Sequence, residues 1–407
     1  MVETIINDSV IGRVSEIARL KLSDKEKEKF REEFERILEE FSIIDEIKVG
    51  EKELYYVVEN VNVLRKDSEP KPFNNINRIR SNFNKIEDDF IVVPRNLWFS
   101  DIMFTRDLIE DLLSKSVEEH LHKKIEEIEK RNKEINAFIT LSTEEAEKSS
   151  KEIQKKINDG TQGKLSGLVI SIKDNIAVSN TRMTCGSKVL ENYIAPYDAT
   201  VTNLIKKEDG IIIGKCNMDE FACGSDGTSS YFGPTKNPRN IDYVPGGSSS
   251  GSAASVAADF SDLSIGSDTG GSIRCPASFC GVYGFKPSYG LVSRYGLSDM
   301  AMSLEGPGPF AKDTYGIALL LDIISGKDSR DTVTVQSNNS YLKTVENFKD
   351  GDIKNMKIAY AKEFFEGVDE NIKNMILDKI GALESQGAKI EEVSLPNIKY
   401  SIPIYYL

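Results

Sequence analysis

Histidine is nearly absent: the 407 residues contain two, His120 and His122. Both lie in the charged run SVEEHLHKKIEEIEKR, which reads as a solvated helix face, so any nucleophilic catalysis here has to find a base other than imidazole. Cysteine is sparse and odd in number, at positions 185, 216, 223, 275 and 280. None forms a C-x-x-C pair, which argues against a zinc site and a disulfide framework and points to buried reduced thiols. No apolar run reaches the roughly 18 residues that a membrane-crossing helix needs. The start, MVETIINDSVIGRVSE, carries Glu3 and Asp8 and has no basic segment leading into an apolar one. Neither a secretion signal nor a transit peptide is therefore expected, and the cytoplasm is the expected compartment. Positive charge is in deficit: 52 Lys plus Arg stand against 65 Asp plus Glu, a net charge of −13. Such a molecule repels phosphate backbones and is not expected to offer the main surface for a nucleic acid.

The chain that remains is globular in balance, with 39% hydrophobic and 29% charged residues. At about 150 residues per domain, its length suggests two to three domains. The first hundred residues are charged, helical and poor in glycine. In SDKEKEKFREEFERILEEFSIIDEI, Ser23 and Glu26 have capping-box spacing. Phe30, Phe34, Ile37, Leu38, Phe41 and Ile44 then recur every three or four residues as one apolar stripe, and an earlier helix is expected around Ile11, Val14, Ile17 and Leu20. The Asn-rich passage SEPKPFNNINRIRSNFNK reads as an extended strap leading to IVVPRNLWF, which holds the only tryptophan, Trp98. A helical pair is expected over about residues 103 to 157. From about Leu165 the texture becomes α/β: LVISI (168–172), IIIG (211–214), LSIGSD (263–268) and MKIAYA (356–361) read as buried strands, with helices in ATVTNLIKKE and VDENIKNMILDKIGALESQG.

Between Val244 and Phe310 the chain is rich in Gly, Ser and Ala, a composition suited to backbone that passes close to itself or to a ligand. Two segments stand out there, VPGGSSSGSAASVAA and IGSDTGGSIRCPASF. Neither is followed by the Lys of a phosphate-binding loop, which argues against nucleotide cradling. Gly247 to Gly251 spell G-x-S-x-G, but that hydrolase elbow works through a histidine which this sequence does not offer. One such segment alone is usually a flexible loop, and a strand-end lysine is usually solvated; two segments that each lead into an apolar stretch, beside Lys173 at the end of LVISI, ask for another reading. A lysine buried in an apolar site is pushed toward its neutral form and can serve as a general base.

Lys173 in SIKDNI, Ser248 in PGGSSSGSAA and Ser272 in GSDTGGSIRCPA resemble the amidase signature family, whose catalytic set is Ser, cis-Ser and Lys. Ser272 lies 24 residues after Ser248 and 99 after Lys173, in that family's register. NMDEFACGS (217–225) and GFKPSYGLVSRYG (284–296) are similar to further family segments. Within the family, the chain most resembles the A subunit of the glutamyl-tRNA(Gln)/aspartyl-tRNA(Asn) amidotransferase. IARLKLSDKEKEKFREEFERILEEF, VENVNVLRKD and DDFIVVPR are similar to the C subunit of the same enzyme, so the whole resembles a C–A fusion.

That resemblance implies an α/β amidase signature fold over 103–407, a mixed β-sheet covered by helices on both faces, behind a helical segment and strap over 1–100. It implies Ser272 as nucleophile, Ser248 as proton relay, Lys173 as base, and an oxyanion hole from the N–H groups of Thr269, Gly270, Gly271 and Ser272. An Asp268–Arg274 pairing is expected to hold the nucleophile loop. No cofactor or metal is implied in this chain. Ammonia freed from glutamine would pass to a partner, the B subunit, which uses ATP and Mg²⁺ and binds the misacylated tRNA. Two departures matter. Ser250 replaces a family glycine, which is tolerated only if φ there is not positive. The sequence also ends at KYSIPIYYL, before the region where the resemblance places the Arg and Asp that hold glutamine's α-groups, so that part of the A subunit is expected to be missing. Tyr405 or Tyr406 is the remaining candidate for the substrate pocket. A stand-alone amidase on small amides and a non-catalytic assembly scaffold are the rival readings.

Overall fold

A computed structural model describes residues 23–29, 31, 86–87, 90–91, 104–401 and 405. The chain divides into two units, Met1–Leu97 and Trp98–Leu407. In the first, residues 24–29 are helical, and the Glu26 carboxylate accepts from the Ser23 N–H at 2.7 Å, one arm of the expected capping box. Ile86–Glu87 pairs antiparallel with Phe90–Ile91. The apolar stripe from Phe30 to Ile44, the earlier helix, the Asn-rich strap, Trp98 and Tyr406 lie outside the described residues.

The second unit opens with helices α1 (Thr105–Leu112) and α2 (Val117–Ile135), then strand β1 (Phe138–Leu141) and helix α3 (Thr143–Asn158). The expected helical pair is thus three helices and a strand. β1 begins where Asn136 takes the left-handed conformation that stops α2. There follow β2 (Val169–Lys173), α4 (Thr200–Lys207), β3 (Ile211–Cys216), α5 (Ser250–Ala257), β4 (Leu263–Asp268), α6 (Arg274–Cys280), β5 (Tyr283–Gly284), β6 (Gly306–Ala311) and α7 (Thr314–Ile324).

The six strands form one mixed sheet in the order β1-β3-β2-β4-β6-β5. Its centre, β3-β2-β4, is parallel, and β1 and β6 run against it. Register sets Ile170 beside Leu263, Ile172 beside Ile265, and Lys173 beside Cys216. Every residue of β2, β3 and β4 is buried, which is why these strands read as unbroken apolar runs. On one face, Ile170, Ile172, Leu263 and Ile265 pack with α4 and α7 through Val201, Ile205, Leu320 and Ile324. On the other, Val169, Ile211 and Ile213 pack with α2 and α3 through Leu121, Ile128 and Ile153. The mixed sheet with helices on both faces is the expected architecture.

Three further sequence readings change. MKIAYA forms β7 (Lys357–Ala361), which pairs in parallel with β8 (Lys389–Val393) in a separate two-stranded sheet flanked by α8 (Glu370–Ser385). In β7 only Ala361 is buried, so this strand is a partly exposed one. Of the five cysteines, all reduced, Cys185, Cys216 and Cys280 are buried, whereas Cys223 is exposed and Cys275 half-buried. The charged run around the histidines is not uniformly solvated: His122 is exposed, but His120 Nε2 lies 2.8 Å from Asp262. One turn on, Lys124 reaches Asp259 at 2.7 Å and Asp262 at 2.8 Å. Asp262 also accepts the Val169 N–H at 2.8 Å, tying α2 to the start of β2.

This network gives a pH prediction. Burial pushes the Asp262 carboxyl up, but Lys124 and His120 outweigh it and hold the group well below the ordinary value of 3.8. A carboxyl depressed in the folded state contributes stability that is fully present above the unfolded value and is lost as pH falls below it. Thermal melts from neutral pH downward should therefore show a loss of stability beginning below about pH 4. In Asp262→Asn the stability should be lower at pH 7 and its acid dependence shallower; an unchanged acid limb would remove Asp262 from this role.

Candidate active site

The carboxyl ends of the three parallel strands converge, the usual place for a site in such sheets. β2 ends on Lys173, β4 ends on Ser267 and Asp268, and just past β3 stand Asn217 and Asp219. Lys173 is fully buried. Its Nζ lies 2.8 Å from Ser248 Oγ, 3.0 Å from Ser267 Oγ and 3.4 Å from the Ser267 carbonyl oxygen. Burial pushes its ammonium down to about 8, against the carboxylates of Glu305, Asp219 and Asp268, which pull it up. About a tenth of molecules then carry the free amine at pH 7, with the share rising through pH 8, and that amine can take a proton from the hydroxyl at 2.8 Å.

Ser248 is presented by a tightly built segment. The Gly247–Ser248 peptide is cis. A side chain at Gly247 would sit 2.0 Å from the Asp219 carboxylate, so glycine is required there. The Ser248 carbonyl accepts from the Asp219 N–H at 3.2 Å. Asp219 in turn accepts from the N–H groups of Gly227 at 3.0 Å and Ser229 at 3.1 Å. The next residues form α5, in which Ser250 through Val256 are all buried. Gly251 is needed here because a Cβ would come within 2.3 Å of the Ala137 carbonyl oxygen. Ser250, where the family has glycine, is the first residue of α5 and has no positive φ, so the substitution is accommodated.

Ser272 lies in the turn between β4 and α6 and is nearly buried, with 7% of its surface exposed. Its carbonyl accepts from the Ser249 N–H at 3.1 Å, which joins the two serine segments directly. The turn is organised by Asp268, fully buried at the end of β4. Its carboxylate accepts from the N–H groups of Gly271 at 2.8 Å, Ile273 at 3.0 Å and Arg274 at 3.3 Å. The Arg274 guanidinium grips it with two further bonds, at 3.0 and 2.9 Å. Burial pushes Asp268 up, but these bonds hold it below the ordinary value. The Asp268–Arg274 pairing expected from the sequence is therefore in place.

One expected oxyanion donor is engaged elsewhere: the Gly271 N–H donates to Asp268. The N–H groups of Thr269, Gly270 and Ser272 donate to no protein group among the described residues. Tyr405 sits over this turn, since a Cβ at Gly270 would be 3.1 Å from its ring, and its hydroxyl reaches Met300 Sδ at 3.3 Å. Sequence reading passed over Ser267, Asn175 and Glu305. Glu305 is buried and accepts from the Met300 N–H at 2.6 Å, and Asn175 Nδ2 donates to Ser267 Oγ at 3.1 Å. Among the described residues no group of three or more His, Cys, Asp or Glu could hold a metal, and no helix is long and apolar enough to cross a membrane.

Residues 119–407 match the family model described as amidase. The chain belongs to the amidase family. Residues 22–93 match a second model, the Glu-tRNAGln amidotransferase C subunit. The glutamyl-tRNA(Gln) amidotransferase A subunit of Methanocaldococcus jannaschii is 49% identical over 296 residues, covering 73% of this chain and 65% of that relative. The crystal structure of the glutamyl-tRNA(Gln) amidotransferase A subunit from Thermotoga maritima is 40% identical with a TM-score of 0.64, covering 73% of this chain and 63% of that one. Native peptide amidase from Stenotrophomonas maltophilia is 27% identical with a TM-score of 0.69, over 75% of this chain and 65% of that one. The chain thus spans slightly under two thirds of the length of these relatives. Of the expected set, Lys173 meets Ser248 directly, whereas Ser272 is tied to the Ser248 segment by its carbonyl through the Ser249 N–H, and among the described residues its Oγ makes no hydrogen bond to Ser248 or Lys173.

Proposed function

We propose that this amidase works as the glutamine-hydrolysing, ammonia-donating component of a tRNA-dependent amidotransferase that converts Glu-tRNA(Gln) to Gln-tRNA(Gln), Asp-tRNA(Asn) to Asn-tRNA(Asn), or both. The observation that carries the chemistry is the 2.8 Å contact between a fully buried Lys173 and Ser248. Free-base Lys173 takes the Ser248 proton while Ser248 takes that of Ser272, whose Oγ attacks the side-chain amide carbon of glutamine. The tetrahedral oxyanion is met by the N–H groups of Thr269, Gly270 and Ser272. Losing one such donor typically costs about 3–4 kcal/mol of transition-state stabilisation. Lys173 then returns the proton through Ser248 to the amide nitrogen, the C–N bond breaks, and ammonia leaves. Water, activated by the same relay, attacks the acyl ester, releasing glutamate and restoring Ser272.

Two similarities support the partners in this reading. The relatives bear the name of the glutamyl-tRNA(Gln) amidotransferase A subunit, and residues 22–93 match that enzyme's C subunit. The chain would combine both roles and hand ammonia to the B subunit in the cytoplasm, which binds the misacylated tRNA and spends ATP with Mg²⁺ on activating it. The net charge of −13 fits a component that leaves tRNA binding to its partner. Tyr405, packed over Gly270, would line the substrate pocket on this reading.

The peptide amidase match favours a second reading, a free-standing amidase for simpler amides. Ammonia release from glutamine and from small aliphatic amides, measured on the same preparation with Ser272→Ala as blank, separates the two. Hydrolysis of glutamine at least about tenfold faster in kcat/KM, a difference of about 1.4 kcal/mol, is the expected result. A preference for the simple amides would favour the free-standing amidase.

A further inference from the structure

Lys173 has three polar neighbours and two of them belong to one residue. Besides Ser248 Oγ, its Nζ meets the hydroxyl of Ser267 at 3.0 Å and the carbonyl of Ser267 at 3.4 Å. A neutral amine has two N–H groups and a lone pair; the ammonium it becomes has three N–H groups and nothing to accept with. The three oxygens around Nζ match the ammonium in number. Resting on the acylation chemistry proposed above, we propose that Ser267 is a positioning residue for the base: its carbonyl and hydroxyl receive two of the three N–H groups of Lys173 once the lysine has taken the proton from Ser248.

The rest of the local structure holds Ser267 to that task. It is fully buried, the penultimate residue of β4. Its carbonyl is aimed by a reciprocal pair with Ser249, whose hydroxyl donates to the Ser267 carbonyl at 2.9 Å while accepting from the Ser267 N–H at 3.3 Å. Its hydroxyl is aimed by Asn175, whose Nδ2 donates to Ser267 Oγ at 3.1 Å and to the Ser298 carbonyl at 3.0 Å. A carbonyl can only accept, so the contact with Ser298 fixes which end of the Asn175 amide faces Ser267. One acceptor position of Ser267 Oγ is taken by Asn175 and the other faces Lys173. With alanine at 267, one N–H of the ammonium would be left unpaired where no water replaces it cheaply.

Acylation of Ser272 needs the free base of Lys173, so its rate rises with pH through the lysine's titration, near 8. Removing an acceptor destabilises the charged form, lowers the lysine's affinity for protons and moves the rise to lower pH. The plateau falls as well, because a weaker base draws the Ser248 proton less readily. The titratable groups facing Lys173 are Glu305 before β6, Asp219 after β3, Asp268 at the end of β4 and Cys185 in the loop after β2, whose thiol burial holds up at about 11. All four are unaltered by substitution at 267.

The test is the rate at which a serine-directed fluorophosphonate labels Ser272 in the full chain, followed from about pH 6 to 10. Ser267→Ala should shift the rise down by about one pH unit, a tenfold loss of proton affinity, and lower the plateau. Ser267→Cys, which keeps the volume but accepts poorly, should do the same, and it carries the test should the alanine variant not fold. Ser267→Thr, which keeps the hydroxyl, should restore the wild-type profile. A shifted rise restored by threonine supports the assignment. A lower plateau with the rise unmoved, in either acceptor-poor variant, overturns it. Absence of labelling in the wild-type chain overturns the acylation reading instead.

Discussion

Lys173→Ala should lower the rate of Ser272 acylation by about 10²- to 10⁴-fold, the usual worth of a positioned general base, and erase the rise in rate near pH 8 that the lysine confers. The chain should remain folded. Burial disfavours the charge on Lys173, so its removal relieves that cost; the carboxylates that act on it, Glu305, Asp219 and Asp268, keep their own N–H donors, and the hydroxyls of Ser248 and Ser267 can be met by water in the space vacated. Ser248→Ala should be similarly damaging, because Ser248 Oγ is the hydroxyl nearest the lysine's Nζ and the path by which the proton leaves. Fluorophosphonate kinetics checks both variants, with circular dichroism to confirm folding. A Lys173→Ala chain that reacts at the wild-type rate contradicts the assignment of the base.

The second large effect is on stability. Asp268→Ala removes the acceptor for three N–H groups, those of Gly271, Ile273 and Arg274, together with both bonds from the Arg274 guanidinium. Arg274 is half-exposed and returns to water at small cost. The Ile273 and Gly271 N–H groups are less fortunate, and a buried group stripped of its partner costs about 1–3 kcal/mol. A total loss of about 2–4 kcal/mol is expected, visible as a fall of several degrees in melting temperature. Labelling of Ser272 should fall with it, since the turn that presents the serine is then held by little else. Asp268→Asn should recover part of both, because its carbonyl oxygen can still serve one or two of the backbone donors. A melting temperature unchanged in Asp268→Ala would mean that the turn is held by other contacts.

Much of this was legible in the sequence, for physical reasons that differ from place to place. β2, β3 and β4 are buried on both faces, so their apolar runs stand out and their ends are found within a residue or two. Lys173, Ser248 and Ser272 are marked by their segments rather than by composition, and the structure brings Lys173 to Ser248 and ties the serine segments together. β6 was missed because GPGPFA carries the signature of a loop. It is a strand by its neighbours: it pairs with β4 along its whole length and with β5 at its last two residues, although its prolines give the ladder no N–H. His120 was misplaced because a helix face rich in Glu and Lys looks solvated, whereas the carboxylates that meet this face, Asp259 and Asp262, lie about 140 residues along the chain. Ser267 was invisible for the same reason: within LSIGSD nothing distinguishes it from Ser264, and only the fold puts it against the lysine. The engaged N–H of Gly271 likewise depends on how Asp268 folds back over its own turn.

The central claim is that Lys173 and Ser248 activate Ser272, and intact-mass spectrometry after exposure to a fluorophosphonate, with peptide mapping, addresses it most directly. A single adduct is expected, on Ser272, absent from Ser272→Ala and greatly slowed in Lys173→Ala. A folded chain that stays unmodified, or that carries its adduct on another serine, would contradict it.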